Sequence, residues 1–420
     1  MISKYVKINY LILYLKGKTK MRKTLSFILA LVMILSMSMI SVYAEDIILI
    51  APNPNSTPEG TAITTAAEFA AMATDGKYYL ANDITIAEPY AEAFTGTLDG
   101  NGKTVTISQP MFVNFGGTIK NLTIEGSVTS LASAEEIAIL SGDGARAAVA
   151  AKVACGTEVV FENITNNAAV SAIGNLSGDD CSGSMVGKIE FADVNVKFIN
   201  VVNNATITGL NQVGGIVGWA KTANNISFEN CINNGEIKGA GNTGGLIGHT
   251  TNTSLIMRVC QNNGAISNIV VDGETPYAGG LVGYGQGTKS DKFAAGDGKF
   301  ANQVEFCINT GSVTGSCRTG GILGSTGADG AYGLSHTRYC INTGNITAVK
   351  TVANSFPTGT KNGLIAGIAA SCSGNLPNAQ NFCTITAINM EDRNHASSTK
   401  DGVTTYYHNS VGAIIGSTTT

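Results

Sequence analysis

Charged residues are scarce in this sequence. Asp, Glu, Lys and Arg make up 13% of the 420 residues, about half the usual share, while 44% of the residues are hydrophobic. Intrinsic disorder needs the opposite balance, so the composition indicates a folded chain. The net charge is −4 at pH 7, and no stretch beyond the N-terminal segment carries a cluster of Lys and Arg, which excludes a nucleic-acid partner.

Proline and tryptophan are also rare, at 8 and 1 residues, whereas glycine reaches 51. The glycines interrupt the chain every few residues, and no amphipathic helical period survives between them. A fold built from repeated helices is therefore excluded.

The motifs of common catalytic and metal sites are missing. The four histidines, His249, His336, His395 and His408, have no metal-ligand spacing, and His-Glu-x-x-His does not occur. The chain has no Gly-x-Ser-x-Gly elbow and no phosphate-binding loop. We therefore predict no catalytic residue, no cofactor and no metal site, and hence no enzyme.

The N-terminus has the pattern of an export signal. Met21-Arg22-Lys23 is a short basic region, Leu25 to Val42 is an apolar run, and Val42-Tyr43-Ala44 fits the small-x-small cleavage pattern. We expect residues 1–44 to be a signal peptide, with Met21 as an alternative start, and residues 45–60 to be a linker. An uncleaved membrane anchor stays open as the alternative, because the apolar run is nearly long enough to span a bilayer.

Two short words alternate along the rest of the chain, and such self-similarity is typical of solenoids. Gly-Gly-apolar-apolar-Gly begins at Gly214, Gly244, Gly279 and Gly320, with weaker copies at Gly183, Gly363 and Gly412. Cys-x-Asn-x-Gly begins at Cys231, Cys260, Cys307 and Cys340, with a decayed copy at Cys383.

Each repeat holds three short strand candidates, which in the cleanest repeat are Gly215 to Ala220, Ile226 to Ile232 and Glu236 to Lys238. A unit this short cannot bury its apolar face alone, but stacking one unit on the next buries it. The sequence therefore predicts an all-β fold, a parallel β-helix with three-stranded rungs about 4.8 Å apart. Parallel crossovers are right-handed in nearly all cases, so we expect a right-handed helix.

The segment before the repeats differs from them. Thr65 to Ala73 carries helix-forming Ala and Glu and is expected to be a short helix that caps the first rung. Thr104 to Ile107 alternates as a strand does, and Asp99-Gly100 and Asn101-Gly102 are turn dipeptides. We assign residues 61–130 to the cap and the first rungs, and residues 131–420 to the repeat array.

The two words, with the lead-in Leu98-Asp99-Gly100-Asn101-Gly102, resemble those of the GLUG-motif repeat proteins of bacterial surfaces. The resemblance covers roughly Gly60 to the end. It implies a secreted or surface-attached protein of the adhesin-like kind, and the motif itself carries no catalytic residues. Some surface peptidases that contain the motif need a zinc site, which this sequence lacks.

The repeated cysteines align in one column. A line of positions cannot surround a tetrahedral zinc, and in-register Cβ atoms lie farther apart than a disulfide favours. We interpret Cys231, Cys260, Cys307, Cys340 and Cys383 as small buried apolar groups. Cys155, Cys181, Cys317 and Cys372 fall outside the column, and a disulfide between two of them stays open.

Two further columns follow from the alignment. Glu229, Arg258, Glu305 and Arg338 alternate in sign, so neighbouring rungs would pair opposite charges; we interpret them as a solvated ladder, with a binding strip as the alternative. Strand alternation places Cys231 on the face opposite to Phe228, so a bend near Asn230 is needed to turn both inward. The second column is placed at a turn, where Asn tolerates the left-handed conformation and stacked amides can bond rung to rung; it comprises Asn166, Asn203, Asn233, Asn262, Asn309 and Asn342.

Carboxylate pairs are the feature that a catalytic alternative needs. A β-helical lyase or glycosidase requires at least two carboxylates on one exposed sheet. Asp179 with Asp180 and Glu190 with Asp193 are the candidate pairs, although the first pair lies in a Ser/Gly loop typical of a turn.

The favoured function is a non-catalytic secreted or cell-surface solenoid that binds a host protein, a glycan or a cell-wall component, or that acts as a spacer. The alternative is the polysaccharide-acting enzyme. The least repetitive loops, Gly285 to Asn302, Ser325 to Ser335 and Glu391 to Ser410, are the expected partner sites. The last repeat stops after Gly416 without a closing Cys-x-Asn-x-Gly strand, which raises the expectation of a truncated gene product.

Overall fold

The computed structural model describes residues 58–130, 144–172, 180–268, 276–286, 302–316, 318–326, 335–349, 364–372, 374–388, 396–400, 403–407, 410–412 and 414–418. They belong to one compact unit, Ser56–Thr420. The expected signal peptide lies outside the described residues. No helix among the described residues is long and apolar enough to cross a bilayer.

A single coil of the chain shows the plan of the fold. From Gln212 onward it contains β17 (Gln212–Gly214), β18 (Val217–Thr222), β19 (Asn225–Glu229), β20 (Ile232–Asn233) and β21 (Ile237–Gly239). Each of these strands pairs in parallel with the corresponding strand of the next coil, for example Val217 with Ile247 and Phe228 with Met257. The parallel β-helix is therefore confirmed, and its handedness stays a prediction.

Three parallel sheets run along the solenoid. The first strand of each coil belongs to an eight-stranded sheet: β9 (Arg146–Ala147), β13 (Cys181–Gly183), β17, β22 (Asn242–Gly244), β27 (Tyr277–Gly279), β32 (Arg318–Gly320), β37 (Leu364–Ala366) and β44 (Ser410–Gly412). The second strand belongs to a ten-stranded sheet: β4 (Tyr90–Phe94), β7 (Phe112–Phe115), β10 (Ala150–Val153), β14 (Val186–Glu190), β18, β23 (Ile247–Thr250), β28 (Val282–Gly285), β33 (Leu323–Thr326), β38 (Ala369–Cys372) and β45 (Ile415–Thr418).

The remaining parallel strands form one sheet of 25 strands, which bends within each coil. They are β1 (Thr61–Ile63), β2 (Lys77–Leu80), β3 (Ile84–Ile86), β5 (Thr97–Asp99), β6 (Thr104–Ile107), β8 (Thr118–Ser130), β11 (Glu158–Asn166), β12 (Ala169–Ala172), β15 (Asn195–Asn203), β16 (Ile207–Thr208), β19, β20, β21, β24 (Ser254–Arg258), β25 (Gln261–Asn262), β26 (Ile266–Asn268), β29 (Asn302–Glu305), β30 (Ile308–Asn309), β31 (Val313–Gly315), β34 (Ser335–Arg338), β35 (Ile341–Asn342), β36 (Ile346–Val349), β39 (Gly374–Asn375), β40 (Gln380–Asn381) and β41 (Ile385–Ile388). Strands β42 (Ala396–Lys400) and β43 (Val403–Tyr407) form a separate antiparallel hairpin.

The glycine word is a corner between two strands, which corrects its assignment to a single strand. The segment Gly215 to Ala220 was expected to be one strand, but the chain bends at Gly215 and Ile216 between β17 and β18. A Cβ atom on Gly214 or Gly218 would collide with neighbouring backbone, because the strands on either side of this corner approach each other closely. The repeated glycines thus allow the corner to be tight.

The predicted capping helix is present as α1 (Ala66–Ala70), shorter than Thr65 to Ala73. Thr65 is its N-cap, and a reciprocal capping box joins Thr65 to Glu68. Phe69 on this helix is buried against Tyr90 and Phe112, with ring centroids 6.1 and 5.5 Å away. The helix therefore closes the aromatic end of the core.

Most of the core is one continuous apolar cluster that follows the solenoid from Ile63 to Ala369, and Ile346, Ala348 and Ile365 form a second, smaller cluster. Phe161, Phe198 and Phe228 stack in successive coils with centroid separations of 4.9 and 4.9 Å, and Phe115 packs at a tilt against Phe161 at 5.3 Å. Strand β8 pairs with β6 on one side and with β11 on the other, so the first rungs and the repeat array form one stack.

A residue in the left-handed conformation lies at the same position in each of eight successive coils of the large sheet. The positions are Asn121, Asn163, Asn200, Asn230, Val259, Phe306, Tyr339 and Asn378, each with φ between 52° and 57°. We call them the left-handed column. Because this residue interrupts the alternation of side chains, Phe228 and Cys231 both point into the core, where they are 1% and 0% exposed. The bend predicted near Asn230 is confirmed.

Candidate binding surfaces

The interior asparagines form a ladder along the wall of the large sheet. Each side-chain Nδ2 donates to Oδ1 of the next coil over 2.7 to 2.9 Å, from Asn166 through Asn203, Asn233, Asn262, Asn309 and Asn342 to Asn381. Each Nδ2 also donates to the carbonyl two residues on, as Asn233 does to Gly235. The rung-to-rung bonds are as predicted. The left-handed residues, however, lie three positions earlier in each coil, so the asparagines of this column do not adopt the left-handed conformation.

The cysteine column is buried, as predicted, through four of its five members. Cys231, Cys260, Cys307 and Cys340 are free thiols with exposure of 1% or less, and Cys383 is partly exposed. Each of the four Sγ atoms donates to the carbonyl two residues earlier, over 3.2 to 3.5 Å. Burial raises the pKa values of Cys260, Cys307 and Cys340 well above the ordinary range. These three thiols are therefore kept protonated and unreactive.

Among the four cysteines outside that column, Cys155 forms no disulfide. Cys155 is a free, partly buried thiol whose Sγ lies 3.7 Å from Oδ1 of Asn114. Cys181 is buried in β13. Cys317 and the side chain of Cys372 lie outside the described residues.

The column of alternating charge, which we call the charge column, lies on the outer face of the large sheet. Glu229, Arg258, Glu305 and Arg338 are partners in register across successive coils. Nε of Arg258 lies 3.2 Å from Oε2 of Glu305, and Nε of Arg338 lies 2.8 Å from Oε1. Burial alone would raise the pKa of Glu305, but the bonds from Arg338 and Arg258 outweigh it and lower the pKa. The predicted ladder is present in its last three members, but it is not solvated at its centre, because the Glu305 side chain is only 5% exposed.

Apolar side chains lie directly beside the charge column. Val259, Phe306 and Tyr339 belong to the left-handed column and are 39%, 51% and 45% exposed. The rings of Phe306 and Tyr339 stack at 4.9 Å with an interplanar angle of 5°. We call these three residues the apolar strip. Each of them directly precedes a cysteine of the repeated Cys-x-Asn-x-Gly word, as Asn230 precedes Cys231. Sequence reasoning missed their exposure, because it treats the position as part of a regular strand.

Among the carboxylates considered for catalysis, Glu190 is held in an ion cluster. Nζ of Lys188 and Nζ of Lys221 each lie 2.8 Å from its carboxylate, and Nζ of Lys152 lies 3.6 Å away. Burial would raise the pKa of Glu190, yet the hydrogen bonds from Lys188 and Lys221 lower it to about 2. A general acid needs the opposite shift.

The other three carboxylate candidates differ in their placement. Asp180 precedes β13, Asp193 lies in an exposed turn before β15, and Asp179 is outside the described residues. No group of three or more His, Cys, Asp and Glu side chains in the described part of the chain could hold a metal ion.

Two histidines fall within strands. His249 stacks between Trp219 and Tyr284, with centroid separations of 5.6 and 4.8 Å. Its burial lowers the pKa to about 3, so the ring is neutral at physiological pH. His336 lies in β34 beside Gln303 and Asn375 in register. His395 and His408 are outside the described residues.

The long insertions leave the solenoid at two corners. Between the ten-stranded and the large sheet, the chain departs after Gly285 and Thr326 and returns at Asn302 and Ser335. Between the large and the eight-stranded sheet it departs after residues such as Asn268 and Val349. Most of the three predicted partner loops lies outside the described residues, except that the third contains the hairpin β42–β43.

Comparison with known proteins does not identify a family. No family model matches the chain, and no curated protein matches it. A search of solved structures finds likeness to a crystal structure of a Bacteroides ovatus protein provisionally named an immunoglobulin A1 protease, at 14% identity and a TM-score of 0.40. The match covers 79% of this chain and 87% of that one, and at this TM-score it supports no argument about function.

Proposed function

We propose that this chain is a non-catalytic secreted or cell-surface solenoid that binds a host protein, a glycan or a wall component, or that holds such a binding site away from the surface. The N-terminal export pattern and the resemblance to GLUG-motif surface proteins support the location.

The observation that carries the proposal is that successive coils differ in the segments between their strands. The strands of each coil are kept in register by the asparagine ladder and the buried columns, while the additions enter and leave at two corners. A scaffold of constant cross-section that carries variable loops on particular edges is typical of binding solenoids.

The enzyme alternative requires a carboxyl group that can give up or take a proton near neutral pH. Glu190 does not offer one, because three lysines surround it and its pKa is about 2. An assay for newly formed reducing ends or unsaturated uronates on a polysaccharide panel distinguishes the two functions. Turnover abolished by substitution of a described carboxylate would replace the binding proposal with the enzymatic one.

The direct test is a screen of the chain against glycans and host proteins, followed by loop replacement. Residues 286–301 and 327–334 are each replaced by Gly/Ser linkers of equal length, so that the coil closes as before. Loss of the captured ligand with unchanged thermal unfolding supports loop-mediated binding. Unchanged binding after both replacements, together with replacement of residues 391–409, contradicts it. Replacement of the turn at residues 240–241 is the matched control.

A further inference from the structure

The apolar strip is costly to the fold. In four earlier coils the left-handed position is Asn, which tolerates that conformation, and the amides bond one coil to the next, as Asn230 does to Asn200 over 2.8 Å. Val259, Phe306 and Tyr339 give up that bond and adopt the same φ, near 54°, which a β-branched or bulky residue rarely does. Such strain destabilises the folded state and concentrates at functional positions.

The exposure of the strip adds to the argument. Three consecutive coils place apolar side chains on the surface instead of amides, and the two rings stack face to face. Their edges, not their faces, therefore point outward. A sugar ring stacks on aromatic faces, so this geometry favours a protein surface over a glycan.

The charge column beside the strip specifies which protein surface fits. Read along the solenoid, its signs are negative, positive, negative, positive over Glu229, Arg258, Glu305 and Arg338. An isologous face-to-face contact has its two-fold axis in the plane of the interface. If that axis is parallel to the solenoid, each charged residue faces the same residue of the second copy, which is repulsive. If it is parallel to the strands, the order of the coils is reversed in the second copy, and each charged residue faces one of opposite sign.

We infer that the strip and the charge column form a contact between two antiparallel copies of this chain. Glu229 faces Arg338 of the second copy and Arg258 faces its Glu305, so the column is complementary to itself. In the same arrangement Val259 lies against Phe306 of the other copy, and Asn230 against its Tyr339. The side chains of Arg258 and Arg338 are 53% and 40% exposed and can reach across, whereas Glu305, at 5%, stays paired within its own chain.

Sedimentation analysis of the purified chain over a concentration series tests the contact. We expect a monomer–dimer equilibrium. Glu229→Arg alone and Arg338→Glu alone should each weaken association at least about tenfold, because both symmetry-related pairs become repulsive. An equal mixture of the two variants should restore it, because the arginine introduced in one chain then faces the glutamate introduced in the other, and the second pair is native. Glu236→Arg, which reverses a charge elsewhere on the large sheet, should dimerise like the unchanged chain.

A second variant keeps the test decisive if Arg338→Glu folds poorly. Changing Val259, Phe306 and Tyr339 together to Asn restores the residue of the earlier coils, so the variant should fold at least as stably and remain a monomer. A monomeric unchanged chain at every concentration overturns the inference, and so does a triple variant that dimerises normally. Association that the mixture of charge variants fails to restore overturns the antiparallel arrangement. Binding of a different protein by the strip of a monomeric chain assigns the surface to that partner instead.

Discussion

Nδ2 of Asn233 donates to Oδ1 of Asn262 over 2.7 Å, joining residues 29 positions apart in the chain and one coil apart in the solenoid. Both side chains are fully buried. A buried amide without its partner loses the hydrogen bond and still bears the cost of leaving water. The ladder therefore fixes the register of the stack as well as stabilising it.

Substitution of Asn262 by Ala should destabilise the solenoid by about 2–4 kcal/mol, because the amides of Asn233 and Asn309 each lose a partner in the core. The neighbouring Asn263 makes a similar bond to Asn234, but at the surface. Asn263→Ala is the matched control and should cost less than about 1 kcal/mol. Urea denaturation measures both, and equal losses would show that the interior ladder has no special weight.

In the left-handed column, replacing Asn by Val and replacing Val by Asn should have opposite effects on stability. Asn230→Val should destabilise by about 1–3 kcal/mol, because Val resists φ of 52° and the bond to Asn200 is lost. Val259→Asn should stabilise the chain by up to about 1 kcal/mol, since the same strain is removed. Thermal unfolding of the two variants at one protein concentration makes the comparison, and a stabilising Asn230→Val would contradict it.

Acid should weaken the ten-stranded sheet through Glu190. Its pKa in the folded state, about 2, lies below the ordinary value of 4.5, so the ionised group stabilises the folded state above pH 4.5. That contribution is lost as the pH falls from about 4.5 toward 2. Glu190→Gln should be less stable at neutral pH and should lose less stability on acidification. The pH dependence of Tm for the two chains provides the test, and parallel curves would refute the assignment.

The cysteine column should resist modification while the chain is folded. Burial raises the pKa values of Cys260, Cys307 and Cys340, so little thiolate forms and reagents cannot reach the sulfur. Cys383 is partly exposed and should react first. Mass spectrometry after brief treatment with iodoacetamide gives the order of labelling, with urea-unfolded chain as the control. Fast labelling of Cys307 in the folded chain would show that the core opens.

Much of this fold could be predicted because the constraint is periodic. The same residue type recurs at the same position of successive coils, so the alignment of Cys231 with Cys260 already gives the register of their two coils. The bend at Asn230 followed from the need to bury both Phe228 and Cys231. The corner at Gly215 could not be placed in the same way, since a run of small and apolar residues fits either a strand or a tight turn.

The surface was less predictable, because it depends on the residues that depart from the repeat. The apolar strip replaces Asn with Val, Phe and Tyr, and a pattern search treats these as ordinary variation at a strand position. The backbone conformation shows that these replacements are unfavourable to folding. The exposed fractions show that the new side chains lie on the surface. Glu190 was singled out as half of a carboxylate pair, whereas its partners are lysines on its own strand and on the two strands beside it.

The amides of the interior ladder all point the same way. From Asn166 to Asn381 every Nδ2 donates toward the later coil, so the amide dipoles add along the solenoid, with oxygen toward the early coils and hydrogen toward the late ones. The surface amides of Asn163, Asn200 and Asn230 donate in the reverse direction. Aligned hydrogen bonds polarise one another in a low-dielectric interior. The interior ladder is thus electrically polar, and each of its hydrogen bonds strengthens the bonds on either side.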